Sequence, residues 1–271
     1  MNSRIYFKRD SNLAGPNFQQ GIKTALLVAL MLFLLTASLL AQQAQYTRPS
    51  WFFGAAAGAN VNFFRGSTQQ LNPNFTPPVT FHDGIGVGLY LAPVMEYHAP
   101  GTGLGFMLQA GYDSRRGDFD QQLTDCNCPA DLSTNLGYVS IEPSLRWAPG
   151  ASHFYLFGGP RFAFNVAKSF TYSLGINPAY PEQELTPDVK GDISEINNTI
   201  VSMQLGAGYD IYLSSQNRQT QFVLSPFVAY HPYFGQDPRS VETWNINTLR
   251  IGAALKLGRG RLIPAPVEVI L

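Results

Sequence analysis

Glu142 and Arg146 stand four residues apart in the stretch GYVSIEPSLRWAPG, residues 137–150, and Arg161 follows in the next apolar segment. An acid beside bases admits two kinds of chemistry. One is general acid–base work, which needs a nucleophile held against a base. The other is a buried ion-pair layer that blocks a narrow pore or rearranges to pass small solutes. For the first, His231 is the best base and Ser225 shares its face, but six residues of extended chain separate them by about 20 Å, too far for a dyad. His82, His98 and His153 fall at the ends of extended segments, where a histidine is ordinarily solvated. The reading is therefore non-enzymatic, with no catalytic residue, metal or cofactor assigned. Glu142, Arg146, Arg161, Gln204, Asp210, Arg250 and Lys256 are the candidates for a charge layer or gate.

These residues need elements to hold them, and the composition narrows the choice. Charged residues make up 13% of the 271-residue chain and hydrophobic ones 45%, less charge than a soluble surface usually carries. The formal net charge is zero, so nothing favours nucleic acid as a partner. Arg4, Lys8, Arg9 and Lys23 precede an apolar run from Thr24 to Leu40, and Ala41 before Gln42 is a plausible cleavage point. Residues 1–41 read as an export signal rather than a membrane helix, because small and polar residues follow at once. Residues 42–50 would then be a periplasmic N-terminal segment.

Beyond the signal, a two-residue alternation recurs in eight segments: 51–64, 84–97, 103–112, 137–147, 153–166, 199–213, 220–231 and 244–257. One face of each is uncharged, as in Ile85, Val87, Leu89, Leu91 and Met95, or Val139, Ile141, Pro143, Leu145 and Trp147. The other carries the charges and most of the glycine. Glycine belongs where space is short, which in a small barrel is the lumen, so the charges point inward and the apolar face outward to lipid. Trp51, Trp147, Phe154, Tyr230 and Trp244, near segment ends, fit interfacial aromatic girdles. The expectation is an all-β, eight-stranded antiparallel up-and-down transmembrane β-barrel over residues 51–257, with residues 258–271 a periplasmic tail or shortened linker.

Connection lengths add an orientation. Segments 98–102, 148–152 and 214–219 are short, whereas 65–83, 113–136, 167–198 and 232–243 are long and polar, and the two kinds alternate. Short turns toward the periplasm and long loops toward the exterior is the outer-membrane pattern. Partners would be outer-membrane lipid around the wall and an extracellular ligand or surface partner at the long loops. Cys126 and Cys128, in the second long connection, lie on the oxidising side in this reading, and an intraloop disulfide is expected. Pro143 and Pro160 each remove a ladder donor, which predicts a bulge or opened pairing between the fourth and fifth strands.

The stretch GYVSIEPSLRWAPGASHFYLFGGPRFAFNV, residues 137–166, resembles the fourth and fifth strands of the N-terminal β-barrel domains of outer membrane protein A-like proteins of Gram-negative bacteria. The resemblance implies an integral outer-membrane barrel with a structural or surface-contact role, the alternatives being a gated, porin-like diffusion pore or a lipid-modifying enzyme. Fuller members continue into a peptidoglycan-binding domain. After the last segment this sequence has only GRGRLIPAPVEVIL, so that activity is not carried over.

Overall fold

The computed structural model describes residues 46–215, 218–233 and 238–263, so the export signal expected at 1–41 lies outside the described residues. Eight long strands form one antiparallel ring in sequence order: β1 (Trp51–Gly66), β2 (Gly84–His98), β3 (Leu104–Phe119), β4 (Pro129–Trp147), β5 (Phe154–Leu174), β6 (Thr199–Tyr209), β7 (Thr220–His231) and β8 (Trp244–Arg259). The ring closes between β1 and β8, where Phe52 pairs with Gly258 and Gly66 with Trp244. Closure removes the sheet edges, the condition for strands to cross hydrocarbon.

The pleat sorts side chains as the alternation requires. Leu145 is 75% exposed on the outer face, while Glu142 and Arg250 are fully buried inside. Small residues in the lumen make room for rings: a Cβ on Gly117 would lie 2.1 Å from the Phe64 ring, and one on Gly208 2.4 Å from that of Tyr155. Real carbon atoms do not approach so closely, so glycine is required under each ring.

Three expectations change. Residues 113–136 are not mainly a loop, because β3 runs on to Phe119 and β4 begins at Pro129, paired from Asp118–Ser133 to Leu104–Trp147. Likewise β5 reaches Leu174 and pairs with a short strand, Val189–Asp192. In these extensions the outward residues turn polar, with Arg116, Asp118, Ser133, Asn135, Ser169 and Thr171, so the apolar period that marks the lower strands is lost. The sixth strand, expected over 199–213, breaks at Asp210, leaving Ile211–Tyr212 as a separate short strand against β7. Finally, Trp244 is not an interfacial residue. It shares the parity of Thr248 and Arg250, points inward and is only 1% exposed, whereas Trp51, Trp147, Phe154 and Tyr230 are exposed on the outer face.

The proline-bearing seam opens locally. Between β4 and β5 the ladder pairs Ile141 with Phe162 and Leu145 with Gly158 but skips the rungs between, where the register sets Pro143 opposite Pro160. A separate register shift lies at Gly137/Tyr138. Each proline still has a continuous ladder on its other side, Pro143 opposite Leu108 and Pro160 opposite Met203. The two missing donors are thus concentrated at a single interstrand gap.

Candidate functional site: a layered charge network in the lumen

Four residues of extended chain span about 13 Å. Glu142 and Arg146 therefore share a face yet lie too far apart to pair, and each takes its partners from other strands.

Around Glu142, Arg161 Nε donates at 3.2 Å, Arg250 Nη1 at 2.8 Å and Ser140 Oγ at 2.8 Å. Arg250 and Arg161 also reach Asp113, the former at 3.1 Å. Arg115 completes this outer layer, donating from Nη2 to Asp113 Oδ2 at 2.8 Å and from Nη1 to Thr248. Asn60 donates to Asp113 at 2.6 Å and accepts from Arg250 Nε at 3.0 Å. The Arg250 guanidinium also lies 3.5 Å from the Tyr90 ring centroid. A buried charge is costly unless its hydrogen-bonding capacity is met, and these contacts meet most of it.

Nearer the short turns, a second layer joins Glu96, Asp210, Arg146 and Lys256. Lys256 Nζ sits 2.7 Å from Glu96 and 3.0 Å from Asp210. Arg146 Nη2 donates to Asp210 at 2.5 Å, while its Nε, 3.8 Å from Glu96, lacks a hydrogen-bond partner. His98 lies 3.0 Å from Glu96, and Ser225 Oγ donates to Asp210 at 2.6 Å. Ser225 and His231 thus serve different layers and form no dyad. Gln204, a candidate for the charge layer, donates to Ser144 Oγ at 2.8 Å and belongs to none of the ion pairs described for either layer.

Asp113, Arg115 and Glu96 are charged members of these layers that stand outside the candidates taken from the sequence. The apolar alternation of the third segment stops at Tyr112, one residue before Asp113, and the polar run DSRRGD that follows resembles a loop. Continuing the parity of Gln109 through Asp113 and Arg115 would have placed both in the lumen. Glu96 meets His98 on its own strand, but Lys256 and Arg146, its other partners, come from β8 and β4.

Apolar groups pack against the layers. Toward the long loops, Phe64, Phe81, Phe119, Leu132, Phe170 and Trp244 belong to one buried cluster, while Tyr90, Met107, Tyr155, Phe157 and Phe227 belong to another deeper in the barrel. The long connections are themselves tied together. Arg239, 1% exposed, donates to Thr68 Oγ1 at 3.0 Å, Gln70 O at 2.6 Å, Ser194 O at 3.1 Å and Glu242 Oε2 at 2.7 Å. Burial lowers the pKa of its guanidinium and the Glu242 carboxylate opposes that shift. Cys126 and Cys128 are joined by a disulfide at the tip between β3 and β4. Asn177 donates to the Cys126 carbonyl at 2.7 Å, linking this tip to the next long connection.

A family model described as an outer membrane protein β-barrel domain matches residues 41–257. No curated protein matches the chain. Among solved structures, the chain is similar to Ail, the attachment invasion locus protein of Yersinia pestis, solved with the heparin analogue sucrose octasulfate. Identity is 10%, coverage 76% of this chain and 99% of that one, and TM-score 0.34. It is also similar to OprG from Pseudomonas aeruginosa, at 13% identity, 79% and 98% coverage and TM-score 0.34.

Proposed function

The chain belongs to the outer membrane protein β-barrel domain family, and on that premise we propose that it is a non-enzymatic, non-conducting barrel that presents its long connections as a surface-contact platform. The observation that carries this reading is the filling of the lumen. Glu142, Arg250, Asp113, Glu96 and Lys256 are each at most 1% exposed, and the aromatic cluster around Trp244 packs over their long-loop side. Passing a solute would require breaking buried ion pairs and parting that cluster, each step costing several kcal/mol. A barrel so filled is suited to holding what stands at its rim.

The rim supports the second half of the proposal. Polar outward faces on β3, β4 and β5 carry the sheet beyond the apolar band, and Arg239 joins three long connections into one body. In our reading the short turns face the periplasm, residues 1–41 are the export signal, and the long connections face the exterior. The finer kinship with outer membrane protein A-like barrels rests on the hairpin at residues 137–166.

Two measurements test this. In planar bilayers the refolded protein is expected to show no channel activity, and steady conductance abolished by closing the charge layers would replace the platform with a pore. On intact cells, a protease-cleavable tag inserted beside exposed Leu185 is expected to be cut from outside, and protection there would reverse the orientation.

A further inference from the structure

Between the outer charge layer and the loop-end cluster lies a cavity of about 40 Å³, lined in part by Arg115, Tyr138, Arg161, Ser202 and His231. Such a volume holds roughly three water-sized atoms.

The chemistry of its wall is one-sided. Arg115 Nη2 donates to His231 Nδ1 at 2.7 Å. A guanidinium has no lone pair to offer, so Nδ1 is the acceptor and the ring proton sits on Nε2. Nε2 is buried with no partner among the described residues, as are Tyr138 Oη and Ser202 Oγ, and His231 and Tyr138 are each 2% exposed. Three O–H or N–H groups of lining residues thus have no acceptor among the described residues. A donor buried without an acceptor is destabilising, so such a space favours a guest that accepts hydrogen bonds.

The charge balance has the same sign. In the adjoining layer the guanidinium groups of Arg115, Arg161 and Arg250 face the carboxylates of Asp113 and Glu142, leaving one positive charge in excess. Water would satisfy the donors but leave that charge; a monovalent anion answers both.

We infer that this cavity binds a small monovalent anion of the carboxylate type, which accepts from His231 Nε2, Tyr138 Oη and Ser202 Oγ beside Arg115 and Arg161. Two oxygens on one carbon match the cavity's size and offer acceptors in more than one direction, which a single halide cannot do as well.

The test is calorimetric titration of the folded, detergent-solubilised protein with sodium formate in a chloride-free sulfate buffer. Saturable binding at one site per chain is expected. Ser202→Ala, which removes one donor without adding bulk, is expected to weaken it about tenfold, the worth of one charge-assisted hydrogen bond. His231→Phe should abolish it, with folding verified by the faster migration of unheated protein in a detergent gel. Absence of saturable binding, equal affinity in Ser202→Ala, or displacement of formate by equimolar chloride would each overturn the assignment. A crystal grown in formate that shows only water in the cavity would do the same.

Discussion

Glu142 and Arg250, 108 residues apart in sequence, meet in the lumen through hydrogen bonds of 2.8 and 3.3 Å. Both are fully buried, so the pair couples β4 to β8 across the interior instead of along a shared edge. Arg161 leans on the same carboxylate, which makes Glu142 the common anion of two cations.

Removing that anion strands two guanidinium groups. Glu142→Ala is expected to destabilise the folded barrel by about 3–5 kcal/mol, the usual cost of breaking one side of a buried ion pair. Urea unfolding in lipid vesicles, followed by tryptophan fluorescence, measures it. A loss below about 1 kcal/mol would show that water or neighbouring carboxylates replace Glu142.

The opened seam has a dynamic signature. The amides that face this gap beside the missing rungs are those of Ile141, Leu145, Gly158 and Phe162, and they are expected to exchange hydrogen faster than those of Glu142 and Ser144, which face the continuous ladder to β3. Pro143→Val with Pro160→Val restores two donors and should slow that exchange. Uniform protection in the unaltered chain would mean that the gap is closed in solution.

Gly117 lies under the ring of Phe64, with the nearest ring carbon 2.1 Å from where a Cβ would stand. Gly117→Ala is expected to cost about 1–3 kcal/mol through overpacking. Phe64→Leu in the same chain should return part of that loss, although alone it too is destabilising. A double-mutant cycle with no coupling would remove the packing explanation.

Arg239 is the tie among the long connections. Arg239→Ala takes away its bonds to Thr68, Gln70, Ser194 and Glu242 together, and leaves the barrel strands untouched. The expected result is rapid proteolysis within residues 67–83 and 175–198, with unchanged heat-modifiable migration of the barrel. Loss of that migration instead would place Arg239 in the folding of the barrel itself.

Much of this molecule was legible without coordinates. Alternation along GYVSIEPSLRW by itself decides that Ile141, Leu145 and Trp147 face outward while Glu142 and Arg146 face inward, because pleat parity is a local property of the chain. The same reasoning separates the eight strands and the alternating short and long connections, and two prolines suffice to locate the weak seam. Where the outward face turns polar, as at Ser114, Arg116 and Asp118, the amphipathic signal vanishes although the strand does not. Parity sets Trp244 on the inner face with Thr248 and Arg250; reading its aromatic character as a sign of the interface is what misplaces it.

Which acid meets which base was decided only by the tertiary structure. Glu142 is bound to Arg161 and Arg250, and Arg146 to Asp210, through strands whose relative depth depends on register and stagger summed around the closed ring. No single segment carries that sum. Parity tells a side chain which side of the wall it occupies; only ring closure sets the height at which it finds its partner.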